Sequence, residues 1–150
     1  WYGLLFMSGF VLGYYLLERV FKHEGKPITL LDSLSMYVGI GTIAGARLGH
    51  CLFYEPAYYL SNPLEILKIW EGGLASHGAV IGILLALYLF SKKYPETGFY
   101  WVTDRLVMVV ALAATLIRLG NLMNSEIVGA PTDLPWGFIF ERLGDGVPRH

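Results

Sequence analysis

An all-α, polytopic membrane bundle is the fold class that this sequence predicts, on three observations. Of its 150 residues, 55% are hydrophobic and 15% charged, with a mean hydropathy of +0.51, more apolar than a soluble domain of this length tolerates. The apolar residues gather into four stretches, near 1–17, 34–53, 74–90 and 99–117. Each approaches the roughly 20 residues of helix that cross a hydrocarbon core about 30 Å thick. Lysine and arginine concentrate in alternate loops between the stretches, the asymmetry of a chain that threads a membrane. Net charge is only −1, so no basic patch points to nucleic acid. One cysteine, Cys51, leaves no disulfide framework or paired-cysteine site. Four scattered histidines without an HExxH pattern give no reason to expect a metal.

The first stretch, WYGLLFMSGFVLGYYLL, carries no charge and is slightly short for a span. Opening on Trp1 rather than Met, and closing at His150 just after a Gly/Asp/Pro-rich stretch, the sequence reads as part of a longer chain. It has neither a basic n-region nor a cleavage site, so a signal peptide is not expected. Trp1 and Tyr2 stand where aromatic rings favour the interface, and on these grounds Tyr2 reads as an anchor. Residues 18–26 (ERVFKHEGK) form a polar loop before Pro27. The second stretch, 34–53, has glycines at 41, 45 and 49, a small-xxx-small pattern that lets another helix approach closely. Arg47 lies among them, followed by His50. Two roles are open to Arg47: snorkelling to the headgroups, or offering its fork to a lipid phosphate.

In the next segment Asn62-Pro63-Leu64-Glu65 reads as a helix start, with Asn62 as cap, Pro63 at the first helical position and Glu65 completing a capping box. The helix that follows to Trp70 is too short to span and is expected to lie in the interface. The third stretch begins in Gly72-Gly73-Leu74-Ala75-Ser76-His77-Gly78 and ends near Phe90. His77 is a titratable imidazole at the mouth of an apolar run, a placement that suits either a hydrogen-bonded helix end or a reaction. Gly78 and Gly82 form another small-xxx-small pair, and Gly72 and Gly73 leave room beside the imidazole. The fourth stretch, 99–117, carries Asp104 near its entrance. The division is then a membrane region, 1–117, and a polar segment, 118–150, incomplete at its C-terminus.

Loop charges orient the whole. Arg19, Lys22 and Lys26 in the first loop and Lys92 and Lys93 in the third face the cytoplasm, against Lys68 alone in the second. His77 and the segment after Arg118 then share the non-cytoplasmic side. Arg118-Leu119-Gly120-Asn121-Leu122-Met123-Asn124-Ser125-Glu126 brings a permanent cation, two amides and a carboxylate to a membrane exit. Arg118, Asn121 and Ser125 share a face if the helix continues past Gly120. Asp104, 14 residues before Arg118, is roughly 21 Å away along a helix axis and reads as structural. A phospholipid phosphate is the natural anion for such a cluster, and an imidazole nearby can take a proton from a nucleophile.

GGLASHGAVIG, IRLGNLMNSEIVG and TDLPWG, in this order, resemble the phosphatidylglycerol–prolipoprotein diacylglyceryl transferases, bacterial plasma-membrane enzymes. Trp1-Tyr2-Gly3, Gly45-Ala46-Arg47-Leu48-Gly49 and Phe53-Tyr54 fit earlier segments of that family, and the resemblance covers essentially the whole chain. Where the family's histidine motif often reads S-F-H-G-G, this chain has Ala75-Ser76-His77-Gly78-Ala79. The family is longer, and the part after His150 is expected to hold another arginine. The resemblance implies transfer of the diacylglyceryl group of phosphatidylglycerol to the lipobox cysteine of a preprolipoprotein, with a thioether formed and glycerol phosphate released. It implies catalytic roles for His77, Arg118 and Tyr2, which reverses the anchor reading of Tyr2. It implies substrate binding by Arg118, Asn121, Asn124, Glu126 and Gly129, and places Arg47 with them. Asp104 and Gly78 are the supporting positions. No cofactor is called for, and the partners are lipid and signal peptide at the inner membrane, with the active site on the non-cytoplasmic side. A lipid or anion transporter or channel, or a structural membrane subunit, are the rival readings.

Overall fold

The computed structural model describes residues 2–149, the side chain of Tyr2 excepted; Trp1 and His150 lie outside it. It is mainly helical up to Asn124. Five α-helices follow one another: α1 Tyr2–His23, α2 Ile28–Phe53, α3 Pro56–Ser61, α4 Ser76–Lys93 and α5 Phe99–Asn124. Short strands β1 (Phe138–Ile139) and β2 (Pro148–Arg149) pair antiparallel near the end.

The helices outrun the apolar stretches because their polar residues are satisfied within them. Pro27, extended at φ −69° and ψ 144°, starts α2 at Ile28, six residues before the apolar run. The hydroxyls of Ser33 and Ser35 donate to the carbonyls of Thr29 and Leu31 one turn back, so the early polar positions cost the helix little. Similarly α5 continues past Ile117 to Asn124. Gly3–His23, Ile28–Phe53 and Phe99–Asn124 are long and apolar enough to cross a membrane. The third stretch expected as a span, 74–90, forms α4, of 18 residues and about 27 Å, which is not among these three. Lys92 and Lys93 occupy its last turn, where cations suit the helix dipole.

The interfacial helix expected over 62–70 is instead two 3-10 turns, Pro63–Leu67 and Ile69–Glu71, preceded by α3. Asn62 makes no cap for them; its amide donates back to the Tyr58 carbonyl at 3.1 Å and closes α3. The Glu65 carboxylate, the other half of the expected capping box, accepts from Lys68 Nζ at 2.6 Å.

The described residues form two compact units, 21–104 and 2–20 with 105–149. In the first, α2 and α4 run antiparallel along facing glycines. A Cβ on Gly41 would stand 2.6 Å from the Gly82 carbonyl oxygen, and one on Gly49 would stand 2.7 Å from the Gly78 Cα. Backbone lies on backbone, as the small-residue spacing foretells. One end of this pair is closed by fully buried Phe21, Leu31, Leu34, Leu87, Phe90 and Val102. There Phe21 meets Trp101 and Tyr37 meets Phe90 edge to face, at 5.3 and 5.7 Å between ring centres. Along one side of the glycine seam runs an apolar cavity of about 500 Å³, bounded among others by Met36, Leu48, Phe53, Ile81 and Leu89.

In the second unit Gly9 admits Ala113 and Gly13 admits Val109, so α1 and α5 also meet at glycines. Beyond α5 the chain is held by Thr132 N–H to the Pro148 carbonyl at 2.9 Å and by the β1–β2 pair. Gly137 of TDLPWG is a close-approach position, where a Cβ would be 2.9 Å from Pro148.

Candidate active site

His77 is the second residue of α4 and is exposed. Its ring leans on two neighbours at the end of α2. Phe53 meets it edge to face at 5.1 Å, and Tyr54 lies tilted at 5.9 Å. Among the described residues its nitrogens make no hydrogen bond, so the satisfied-helix-end alternative is not what is built here. Tyr54 is itself stacked on His50 at 5.5 Å, and His50 abuts Tyr59 at 6.1 Å. The imidazole therefore ends a row of rings that fixes its plane and leaves its polar edge free.

Arg47 is placed differently from the expectation. Only 4% of it is exposed, and its guanidinium is spent on backbone carbonyls rather than presented to a phosphate. Nε donates to Ile66 at 2.9 Å, Nη2 to Glu65 at 2.6 Å, and Nη1 to Gly72 and Gly73 at 2.6 and 3.4 Å. Its other face lies over the Tyr59 ring at 5.1 Å. The room read beside Gly73 is filled as well: a Cβ there, at φ +70°, would meet His50 and Arg47 at 2.6–2.8 Å. Gly72 (φ +89°) is the open one, with nothing within 4 Å.

In the other unit Arg118 is exposed on α5 and, among the described residues, makes no hydrogen bond or ion pair. Among the described residues it is uncommitted where Arg47 is committed. Asn121, one turn on, is 4% exposed, and its carbonyl accepts the Glu126 N–H at 2.8 Å. With Ser125 N–H on the Leu122 carbonyl at 3.1 Å, this is a Schellman end to α5. Ser125 occupies its left-handed position at φ 55°, so it leaves the face that Arg118 and Asn121 share. Ile127, β-branched, is also left-handed at φ 51°, a strained conformation of the kind found where a side chain must be presented. Glu126 stands between the two, exposed, and accepts from the Asn124 amide at 3.3 Å. Gly129 is half-buried, its carbonyl at 3.5 Å from Arg149 Nη1. Asp104 is exposed in the second turn of α5, and Gly78 is buried in the glycine seam. Tyr2 opens α1, with its side chain outside the described residues.

Reading by motif missed Phe53 and Tyr54 as supports of His77, and Arg142 and Arg149 as ties on the 121–129 segment. Arg142 Nη1 reaches the Asn124 carbonyl at 3.4 Å, and Arg149 Nη2 the Asp145 carboxylate at 2.6 Å. That guanidinium, with help from the Val147 N–H, holds the Asp145 carboxyl below its ordinary pKa. A lowered folded-state pKa means the pair's contribution is fully present above the ordinary carboxylate value, about 3.9, and is lost as pH falls through the lower folded value. Titration of the Val147 amide by NMR in the full-length protein should therefore show the turn opening below that ordinary value, and Asp145→Asn should remove the transition. Outside the spans, too, Glu65 beside Lys68 raises the ammonium pKa.

A helical membrane protein in which the imidazole of His77 and the guanidinium of Arg118 are exposed, and unspent among the described residues, is the class that the fold and side chains define. The model of the prolipoprotein diacylglyceryl transferase family matches residues 1–150. The chain is 57% identical over 150 residues to the phosphatidylglycerol–prolipoprotein diacylglyceryl transferase of Tolumonas auensis, covering 100% of this chain and 58% of that protein. To its counterpart in Chloroherpeton thalassium it is 55% identical over 150 residues, covering 100% and 56%. For Porphyromonas gingivalis the figures are 53% over 143 residues, 95% and 50%. The chain belongs to the prolipoprotein diacylglyceryl transferase family. It spans a little over half the length of the curated relatives it matches most fully.

Proposed function

We propose that this chain supplies part of the active site of an enzyme that moves the diacylglyceryl group of phosphatidylglycerol to the lipobox cysteine thiol of a preprolipoprotein. The observation that carries the reading is the matched length: the family model takes in all of residues 1–150, and with them both His77 and the segment from Arg118 to Gly129. His77 takes the thiol proton, because the thiolate is the competent nucleophile. The sulfur attacks the glyceryl carbon, a C–S bond forms, and the C–O bond to phosphorus breaks. Glycerol phosphate leaves with the bonding electrons and recovers the proton from the imidazolium. Arg118 holds the phosphate and stabilises the charge that develops on it, with Asn121, Asn124, Glu126 and Gly129 shaping the headgroup site. Tyr2 joins the catalytic set, and Asp104 and Gly78 support it. The apolar cavity beside the glycine seam, which reaches Phe53 next to His77, suits an acyl chain. The setting is the bacterial inner membrane, with His77 on the non-cytoplasmic side.

The test uses the full-length protein in phosphatidylglycerol nanodiscs with a lipobox peptide. Glycerol phosphate release with a matching mass gain on the peptide cysteine supports the transferase. Lipid or anion flux without release supports the transporter, which the relatives' names do not favour. Arg118→Lys should slow transfer by about 10²–10³-fold, because one ammonium does not reproduce a charge-stabilising fork. A wild-type rate in that variant removes the phosphate role from Arg118.

A further inference from the structure

We infer that Arg47 is a positioning residue: by clamping the carbonyls at 65–66 and 72–73 it fixes the segment that delivers His77. The inference rests on the reading of His77 as the base, and on four features of the first unit.

The clamp is complete. Among the described residues, every hydrogen bond and cation–π contact of the buried Arg47 side chain is with this segment or with Tyr59, and no carboxylate is among its partners. It grips both ends of the segment, Glu65 and Ile66 on one side and Gly72 and Gly73 on the other. A planar fork with five donors can face two stretches of backbone at once, which a point-like ammonium cannot.

The segment has little else to hold it. Its own backbone bonds are local, Glu65 to Asn62, Lys68 to Glu65 and Glu71 to Lys68. The Lys68–Glu65 pair is local too. Among the described residues, all hydrogen bonds from 62–73 to α2 are those of Arg47.

The clamp is continuous with the start of α4. Gly73 is seated against Arg47 and His50, and two residues later the Ala75 N–H donates to the carbonyl of Ala46, the neighbour of Arg47, at 2.9 Å. Ser76 then begins the helix. The imidazole that follows rests on Phe53 and Tyr54 of α2, so its place depends on where the segment joins that same helix. Displacing a reacting group by about 1 Å can cost about 10²-fold in rate.

The experiment measures amide hydrogen exchange of residues 65–75 without substrate, and separately kcat and KM for phosphatidylglycerol, in the full-length enzyme. Arg47→Lys should speed exchange across 65–75 and lower kcat by about ten- to one-hundred-fold, with KM for the lipid changed by no more than about twofold. Gly73→Ala, which keeps the guanidinium but places a methyl group against it and His50, should give the same pattern and serves where Arg47→Lys does not fold. Unchanged exchange with a raised KM would overturn the inference and make Arg47 a direct lipid ligand. Faster exchange with unchanged kcat would also overturn it, leaving a staple with no bearing on His77. If His77→Gln proves active, the base reading fails instead, and the exchange data still decide whether Arg47 holds the segment.

Discussion

His77→Gln in the full-length enzyme is expected to lose transfer to a lipobox peptide by about 10²–10⁴-fold, the usual contribution of a positioned base, while phosphatidylglycerol binding persists. Glutamine retains much of the length and hydrogen-bonding capacity of histidine but cannot take a proton near neutrality. The imidazole packs on Phe53 and Tyr54 at one helix end, and no described hydrogen bond would be broken by the exchange. His77→Ala should lose transfer to the same degree. Rates of thioether formation and lipid binding, measured side by side, decide the matter. Near-normal turnover in either variant means that another group generates the thiolate. Lost lipid binding in His77→Gln means that the imidazole positions the headgroup instead.

Gly82→Ala is expected to destabilise the protein by about 1–3 kcal/mol, the range for overpacking a close contact. A Cβ at that position would run into the Gly41 carbonyl and stand 2.9 Å from the Gly45 Cα. These are backbone atoms, so relief requires moving a whole helix rather than turning a side chain. Gly39→Ala, on the partner helix α2, is the comparison. Nothing lies within 4 Å of its Cβ, and removing a glycine from a helix interior should stabilise by about 0.5–1 kcal/mol. Unfolding in mild detergent, followed by circular dichroism, reads both. Equal effects of the two substitutions would mean that α2 and α4 are not held by this seam.

How much of this could be read from the sequence varies with the kind of contact. The glycines at 41, 45, 49, 78 and 82 announce their seam because small residues four apart are a local pattern with one common physical use. Likewise the apolar stretches at 34–53 and 99–117 mark real helices. Their ends were harder, because Ser33 and Ser35 hide their polarity inside the helix and leave no trace in hydropathy. The surroundings of Arg47 are hidden for a deeper reason. Its partners are backbone carbonyls 18 to 26 residues downstream, and a carbonyl has no residue type by which to recognise it. At Asn62 the motif was present, but a nearer acceptor at Tyr58 won. His77 was legible as a titratable group at the mouth of an apolar run; that Phe53 and Tyr54 set its plane depended on how α2 and α4 meet.

The glycine seam leaves one degree of freedom that the seam itself cannot settle. Gly41 now faces Gly82 and Ala86, Gly45 faces Gly78 and Gly82, and Gly49 faces Gly78. Sliding α4 along α2 by one turn, about 5.4 Å, would still bring Gly45 to Ala86 and Gly49 to Gly82, small against small, and only Gly41 would meet a large residue, Phe90. A smooth, repetitive rail defines distance and direction but not position along it. The index mark is therefore at the polar end, where the Ala75–Ala46 hydrogen bond and the carbonyls gathered by Arg47 fit one setting of the slide. On this view the buried guanidinium of Arg47 helps to select the alignment that sets His77 beside Phe53 and Tyr54.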